Sequence, residues 1–287
     1  MQGVLMLVFN YDRACRVGEA VGLAGHVITL LKHGDPQFKA VVNLLEARGA
    51  GEAAVLVIAN SLVSYQLNTR GEEYWYRFSE YFRDASRSVT PEELLAFMSS
   101  TGLNTRLLEQ KKRRLSAFFA SSLSRRLNTD GLVYCGDLRG LYDELTGLYG
   151  GGYSKTVAFA VKMYWYLCEA SGLKPVAKGV PPPLDLRNSL LLCSSCIAEG
   201  YGSLEDCVEA VMSRNRREAL KALQVMCECS GLDCLELDVL TWLIVGVLRD
   251  TGFDTQGSRA VLRERFNIEI PDEILREFSR CSKRFNP

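Results

Sequence analysis

Lys155 and Asp185 are the side chains whose types and settings point to covalent chemistry. Lys155 follows a glycine triplet in the run Leu148-Tyr149-Gly150-Gly151-Gly152-Tyr153-Ser154-Lys155-Thr156, and Asp185 closes the run Val180-Pro181-Pro182-Pro183-Leu184-Asp185. A lysine amine that has shed its proton is a nucleophile able to form a Schiff base at a sugar carbon. Its ordinary pKa is about 10.4, and a helix N-terminus and a dry pocket both disfavour the ammonium form. A carboxylate can receive or relay the proton and stabilise positive charge developing on the sugar. Three glycines in a row accept positive φ and close backbone approach. Placed before a helix, the N–H groups of Gly150, Gly151 and Gly152 suit a phosphate. A plain turn between helices is the competing reading of the triplet.

An amine at this position needs a rigid element behind it, and the sequence supplies one. Lys155, Phe159 and Lys162 recur at i, i+4 and i+7, so one helical face carries amine, ring and amine in a column. Val157, Val161 and Tyr164 on the other side suffice for a core. An ordinary amphipathic helix whose two lysines reach solvent is the alternative. With a helical pattern over Gly136–Leu148 before the turn, the arrangement reads helix, hairpin, helix.

The rest of the chain is helical in pattern from about Arg16 onward. Asp35-Pro36 and Thr90-Pro91-Glu92-Glu93 are capped helix starts, and Glu72–Phe82 places Trp75, Phe78, Tyr81 and Phe82 at helical spacing. Arg106–Leu127 reads as one long helix with a basic face, where Arg106, Lys111, Lys112, Arg113, Arg114, Arg125 and Arg126 either track phosphates or are solvated. Lys174–Pro183 is a connector. Further helices are expected over Leu186–Glu199, Leu204–Met212, Arg217–Cys229 and Glu236–Arg249, then near Ser258–Phe266 and Pro271–Cys281. The expected fold is all-α, two helical lobes with a cleft between them. Residues 1–20 read as an N-terminal extension and 21–287 as the main unit. Within that unit, roughly 90–170 form the hairpin-bearing lobe, and 21–89 with 171–287 form the second.

Composition narrows the partners. The 287 residues carry 34 basic and 34 acidic side chains, so a polyanion must be held by local patches rather than by net charge. The apolar runs Gly3–Phe9 and Trp242–Leu248 fall short of the roughly 20 residues of a membrane span. Met1–Phe9 lacks a basic start and a small-residue cleavage site, and reads as a strand-like or helical extension or a misplaced start. The expected location is intracellular, in the cytoplasm or nucleoid, without membrane association. Ten cysteines are many for such a chain. Cys193 and Cys196 form a C-x-x-C in an apolar helical stretch, where small buried thiols are the ordinary reading. Disulfides, which inside a cell would suggest a hyperthermophile, and a metal site are the alternatives. With two histidines, His26 and His33, a His-rich zinc site is not expected.

Glycine hairpin, lysine and Pro-x-Asp together resemble the helix-hairpin-helix DNA glycosylases that also cut the strand. Tyr149 stands where that superfamily usually has proline, with one extra residue between leucine and lysine, and the cysteines do not match its iron–sulfur spacing. Asp35-Pro36-Gln37-Phe38, Gly71-Glu72-Glu73-Tyr74-Trp75, Lys155-Thr156 and Leu237-Asp238-Val239-Leu240-Thr241-Trp242 look like archaeal GO glycosylase, an 8-oxoguanine DNA glycosylase and AP lyase. The resemblance runs from about Gly34 to Gly246. It implies that Lys155 attacks C1′ with help from Asp185, and that Gln37, Trp75, Phe159, Lys162, Pro183, Asp238 and Trp242 form the base pocket. Aromatic faces suit a flipped base, Gln37 offers donor and acceptor, and Asp238 can accept from the N7–H of 8-oxoguanine. Taken singly, Trp75 and Trp242 read equally as core, Asp238 as a helix cap and Gln37 as solvated. The implied partner is damaged double-stranded DNA, with single strands also open, bound by a monomer that needs no cofactor or metal. A glycosylase for another lesion, a non-catalytic DNA-binding module and a helical adaptor are the competing functions.

Overall fold

The computed structural model of the chain describes residues 7–282. Among them are fifteen α-helices and one two-stranded ribbon. In chain order the helices begin with α1 (Tyr11–Gly22), α2 (Ile28–Gly34), α3 (Pro36–Val63), α4 (Gly71–Arg83) and α5 (Pro91–Thr101). Next come α6 (Leu108–Ala120), α7 (Ser122–Thr129), α8 (Leu138–Leu148), α9 (Lys155–Ala170) and α10 (Leu186–Ser194). The last five are α11 (Leu204–Ser213), α12 (Arg216–Ser230), α13 (Cys234–Asp250), α14 (Thr255–Phe266) and α15 (Asp272–Phe278). The all-α expectation holds.

Two compact units emerge: His33–Val180, and Met1–Lys32 with Pro181–Pro287. The expected division near residue 90 is not where the chain divides. That division would separate α3 and α4 from α9, whereas α3 packs along α9 and against α4 in one core. The sequence Ala53–Val63 is buried on every side, as an apolar helix without a polar face must be. Gly49, at φ 70°, breaks α3 into two helical stretches. Long-range packing of this kind leaves no local mark on the sequence.

Residues 1–6 of the expected extension lie outside the described residues. The remainder of that segment is built into the second unit rather than appended to it. Val8–Phe9 (β1) pairs antiparallel with Ala198–Glu199 (β2), and α1 lies against α12. Gly18 and Gly22 permit that approach: a Cβ would stand 2.3 Å from the Met226 carbonyl oxygen at one and 2.6 Å from that of Ser230 at the other. The helix expected over Leu186–Glu199 ends at Ser194 because Cys196 turns the chain at φ 62° into β2.

All ten cysteines are paired, which corrects the expectation of free buried thiols. Cys135–Cys168 lies in the first unit; Cys15–Cys229, Cys193–Cys207, Cys196–Cys281 and Cys227–Cys234 lie in the second. The partners are as many as 214 residues apart, so spacing could not reveal them. Each bond restricts the unfolded chain and is worth about 2–5 kcal/mol. Alkylation of the denatured protein without reductant is therefore expected to add nothing to its mass, and ten adducts after reduction. Ten adducts before reduction would contradict the pairing.

Candidate active site

The glycine hairpin is built as its sequence requires. Gly150, Gly151 and Gly152 all have positive φ, at 91°, 81° and 76°, a conformation that L-residues adopt at a cost of about 1–2 kcal/mol each. Two of its N–H groups serve the turn: Gly150 donates to the Gly147 carbonyl at 3.4 Å and Gly151 to that of Thr146 at 3.0 Å. The expectation that all three face a phosphate is corrected to that extent. Gly152 leads into α9, whose N-cap Ser154 makes no side-chain capping bond, so the first turn keeps amide donors for an anion. Tyr149, in place of the usual proline, has a role of its own. Its hydroxyl donates to the Arg114 carbonyl at 3.0 Å, and the Arg114 guanidinium lies 4.4 Å from the Tyr149 ring centre while donating to Thr156 Oγ1 at 2.7 Å. Arg114 thus braces both ends of the hairpin.

Lys155 opens α9 and is exposed; the dry pocket expected around it is not formed by its own unit. Phe159 is half-buried and Lys162 fully buried. The reading in which both lysines reach solvent therefore fails for Lys162. Trp75 on α4 is buried, and its ring meets Phe159 edge-on at 6.2 Å between centres. The Trp75 indole Nε1–H is buried without a hydrogen-bond partner, a costly state that a ligand acceptor would relieve. Gln37, in the first turn of α3, is buried rather than solvated, and its Nε2 faces Gly71, where an added Cβ would lie 3.5 Å away. Gln37, Trp75, Phe159 and Lys162 are thus contributed to one unit by α3, α4 and α9.

The remaining candidates belong to the second unit, so Lys155 and Asp185 come from different units. Asp185 caps α10, accepting from the Asn188 N–H at 2.9 Å. Asp238 is not a cap, because α13 starts a turn earlier behind Asp233. It is buried and accepts from Asn188 Nδ2 at 2.6 Å; the same amide donates to the Pro183 carbonyl at 2.8 Å. Asn188 Oδ1 in turn accepts from Thr241 Oγ1 at 3.1 Å. Trp242 is half-buried, with the Arg187 guanidinium 3.4 Å from its ring centre. Sequence reasoning missed Asn188 and Arg187, whose only signal is their place just after Asp185.

The long basic helix is two helices. Ser121 is extended and caps α7, which separates it from α6. Lys111 is no phosphate-tracking residue: it is fully buried, donates to Asn104 Oδ1 and lies 4.8 Å from the Tyr65 ring centre. Arg126 pairs with Glu144 at 2.9 Å, while Lys112 and Arg113 remain exposed.

A family model described as AGOG, N-glycosylase/DNA lyase, matches residues 19–277. The chain belongs to this family. The N-glycosylase/DNA lyase of Methanopyrus kandleri is 34% identical over 158 residues, covering 53% of this chain and 64% of that protein. The Aeropyrum pernix N-glycosylase/DNA lyase is 28% identical over 246 residues, or 82% and 83% of the two chains. The crystal structure of the 8-oxoguanosine-complexed 8-oxoguanine DNA glycosylase from Pyrobaculum aerophilum superposes with a TM-score of 0.69 at 22% identity, covering 94% of this AGOG chain and 95% of that one. The likeness establishes the shared fold. Among the described residues no single helix is long and apolar enough to cross a membrane.

Burial lowers the Lys111 pKa from 10.5 to about 8, with Arg106 adding to the effect. Between those values the unfolded chain binds more protons than the folded one, so stability rises with pH across the window. Urea unfolding of the wild type and Lys111→Met at pH 7.5 and pH 10 is expected to show this rise in the wild type alone, against a common background. An identical pH dependence in both would exclude a buried titrating amine.

Proposed function

We propose that this AGOG protein is a bifunctional DNA glycosylase and AP lyase that releases 8-oxoguanine. The observation that carries the reading is Lys155 on the first turn of α9, directly behind three positive-φ glycines, in a member of an N-glycosylase/DNA lyase family. The preference for oxidised guanine is supported by the complex named for the Pyrobaculum neighbour and by the chemistry of the pocket candidates. Phe159 and Trp242 offer ring surface, Gln37 and the unpaired Trp75 N–H offer polar groups to a base edge, and Asp238 offers an acceptor. A site with an acceptor for N7–H penalises guanine, which lacks that proton.

The reaction divides into two stages. A proton leaves the Lys155 amine, for which we assign Asp185 the role of acceptor, and Nζ bonds to C1′ as the C1′–N9 bond breaks. The base departs with a proton, and the sugar opens to an imine on Lys155. Loss of a proton from C2′ then expels the 3′ phosphate by β-elimination, and water hydrolyses the imine to free the enzyme. Exposed Lys112 and Arg113, with the amide donors that open α9, would contact the damaged duplex as phosphate-binding groups and make affinity salt-dependent. The substrate implies an intracellular location at the nucleoid; a monomer suffices, and single strands are a further candidate substrate.

The test is release of free 8-oxoguanine from a duplex carrying one lesion. Lys155→Gln is expected to abolish base release and strand cutting, at least a thousand-fold, while lesion affinity stays within about three-fold, since it removes a nucleophile rather than pocket surface. Undiminished cutting by the variant would move the nucleophile elsewhere.

A further inference from the structure

Asp35 is a buried carboxylate to which the reaction gives no task. Its two oxygens serve different helices. Oδ1 accepts from the Gln37 N–H at 2.8 Å, in the first turn of α3, and Oδ2 accepts from the Tyr166 hydroxyl on α9 at 2.6 Å. Tyr166 stands one turn after Lys162, whose buried Nζ lies 5.7 Å from the Tyr166 ring centre. Phe38 meets the same ring edge-on at 5.3 Å. Gln37 is therefore held between two anchors, Asp35 and Phe38, both fixed to the helix that carries Lys162. Burial raises the Asp35 pKa, while Lys162, the Tyr166 hydroxyl and the Gln37 N–H oppose the rise and Glu72 adds to it.

We infer that Asp35 is the positioning residue of the base pocket, holding Gln37 and Lys162 at a fixed separation so that the pocket tells an oxidised purine from an ordinary one. The inference rests on the glycosylase reading above. A cap alone does not require it, because any capping side chain would start α3. A carboxylate is needed because two acceptor atoms are used on opposite sides, and asparagine supplies one. Geometry held to a fraction of an ångström is what discrimination by hydrogen bonds depends on.

Asp35→Asn keeps a capping residue and most of the packing, and Tyr166→Phe removes only the hydroxyl donated to Asp35. Each is compared with wild type on two duplexes, one with 8-oxoguanine and one with a preformed abasic site, where no base occupies the pocket. Single-turnover base release is expected to fall at least ten-fold in Asp35→Asn and about three-fold in Tyr166→Phe. Cutting at the abasic site is expected to change less than two-fold in both. Should Asp35→Asn not fold, Tyr166→Phe decides the matter alone. Equal losses on the two duplexes, or full base release by a folded variant, would overturn the role of Asp35 while leaving the glycosylase reading intact. A wild-type protein that cuts abasic DNA but releases no 8-oxoguanine would remove both.

Discussion

The site depends on where α9 begins and on what α9 is packed against. Three left-handed glycines end α8, reverse the chain and deliver Lys155 as the first residue of the next helix. From that point the helical period fixes the rest: Phe159 and Lys162 follow on one face, and α9 packs along α3. A side chain larger than hydrogen at the triplet would have to adopt a strained backbone or move the start of α9. The Arg114 guanidinium, stacked on Tyr149 and bonded to Thr156, ties the two ends of an otherwise permissive turn.

Two polar clusters surround the candidate pocket residues, one in each unit. In one, Asp35 links the Gln37 N–H at the start of α3 to Tyr166 on the Lys162 helix; in the other, Asn188 links Pro183, Asp238 and Thr241. Buried polar groups of this kind are tolerable only when their partners are present. The Trp75 indole, beside Phe159, is among the buried polar groups that have none. Unpaired polarity beside aromatic surface suits a pocket that completes its hydrogen bonds with a ligand.

The helices around Lys155 were legible because their signals are local: the glycine triplet, the Asp35-Pro36 cap, and the i, i+4, i+7 column. Lys162 shows where such signals stop. A lysine on an amphipathic face looks solvated, and only the packing of α3 along α9 buries it. Lys111 misleads in the same way, since a basic run predicts a charged surface, whereas Tyr65 and Asn104, which enclose it, lie outside that run. Cysteine pairing was invisible for a related reason, as Cys15 and Cys229 meet only because Gly18 and Gly22 let α1 and α12 approach. Asn188 and Arg187 carry no motif; their roles follow from α13 lying beside α10.

A single amine on a helix fixed by a glycine turn is asked to become covalently bound to a damaged sugar. Borohydride reduction during reaction with an 8-oxoguanine duplex captures that state, and peptide mapping locates it. One protein–DNA adduct is expected, on the peptide containing Lys155. An adduct on another residue, or none while 8-oxoguanine is still released, would contradict it.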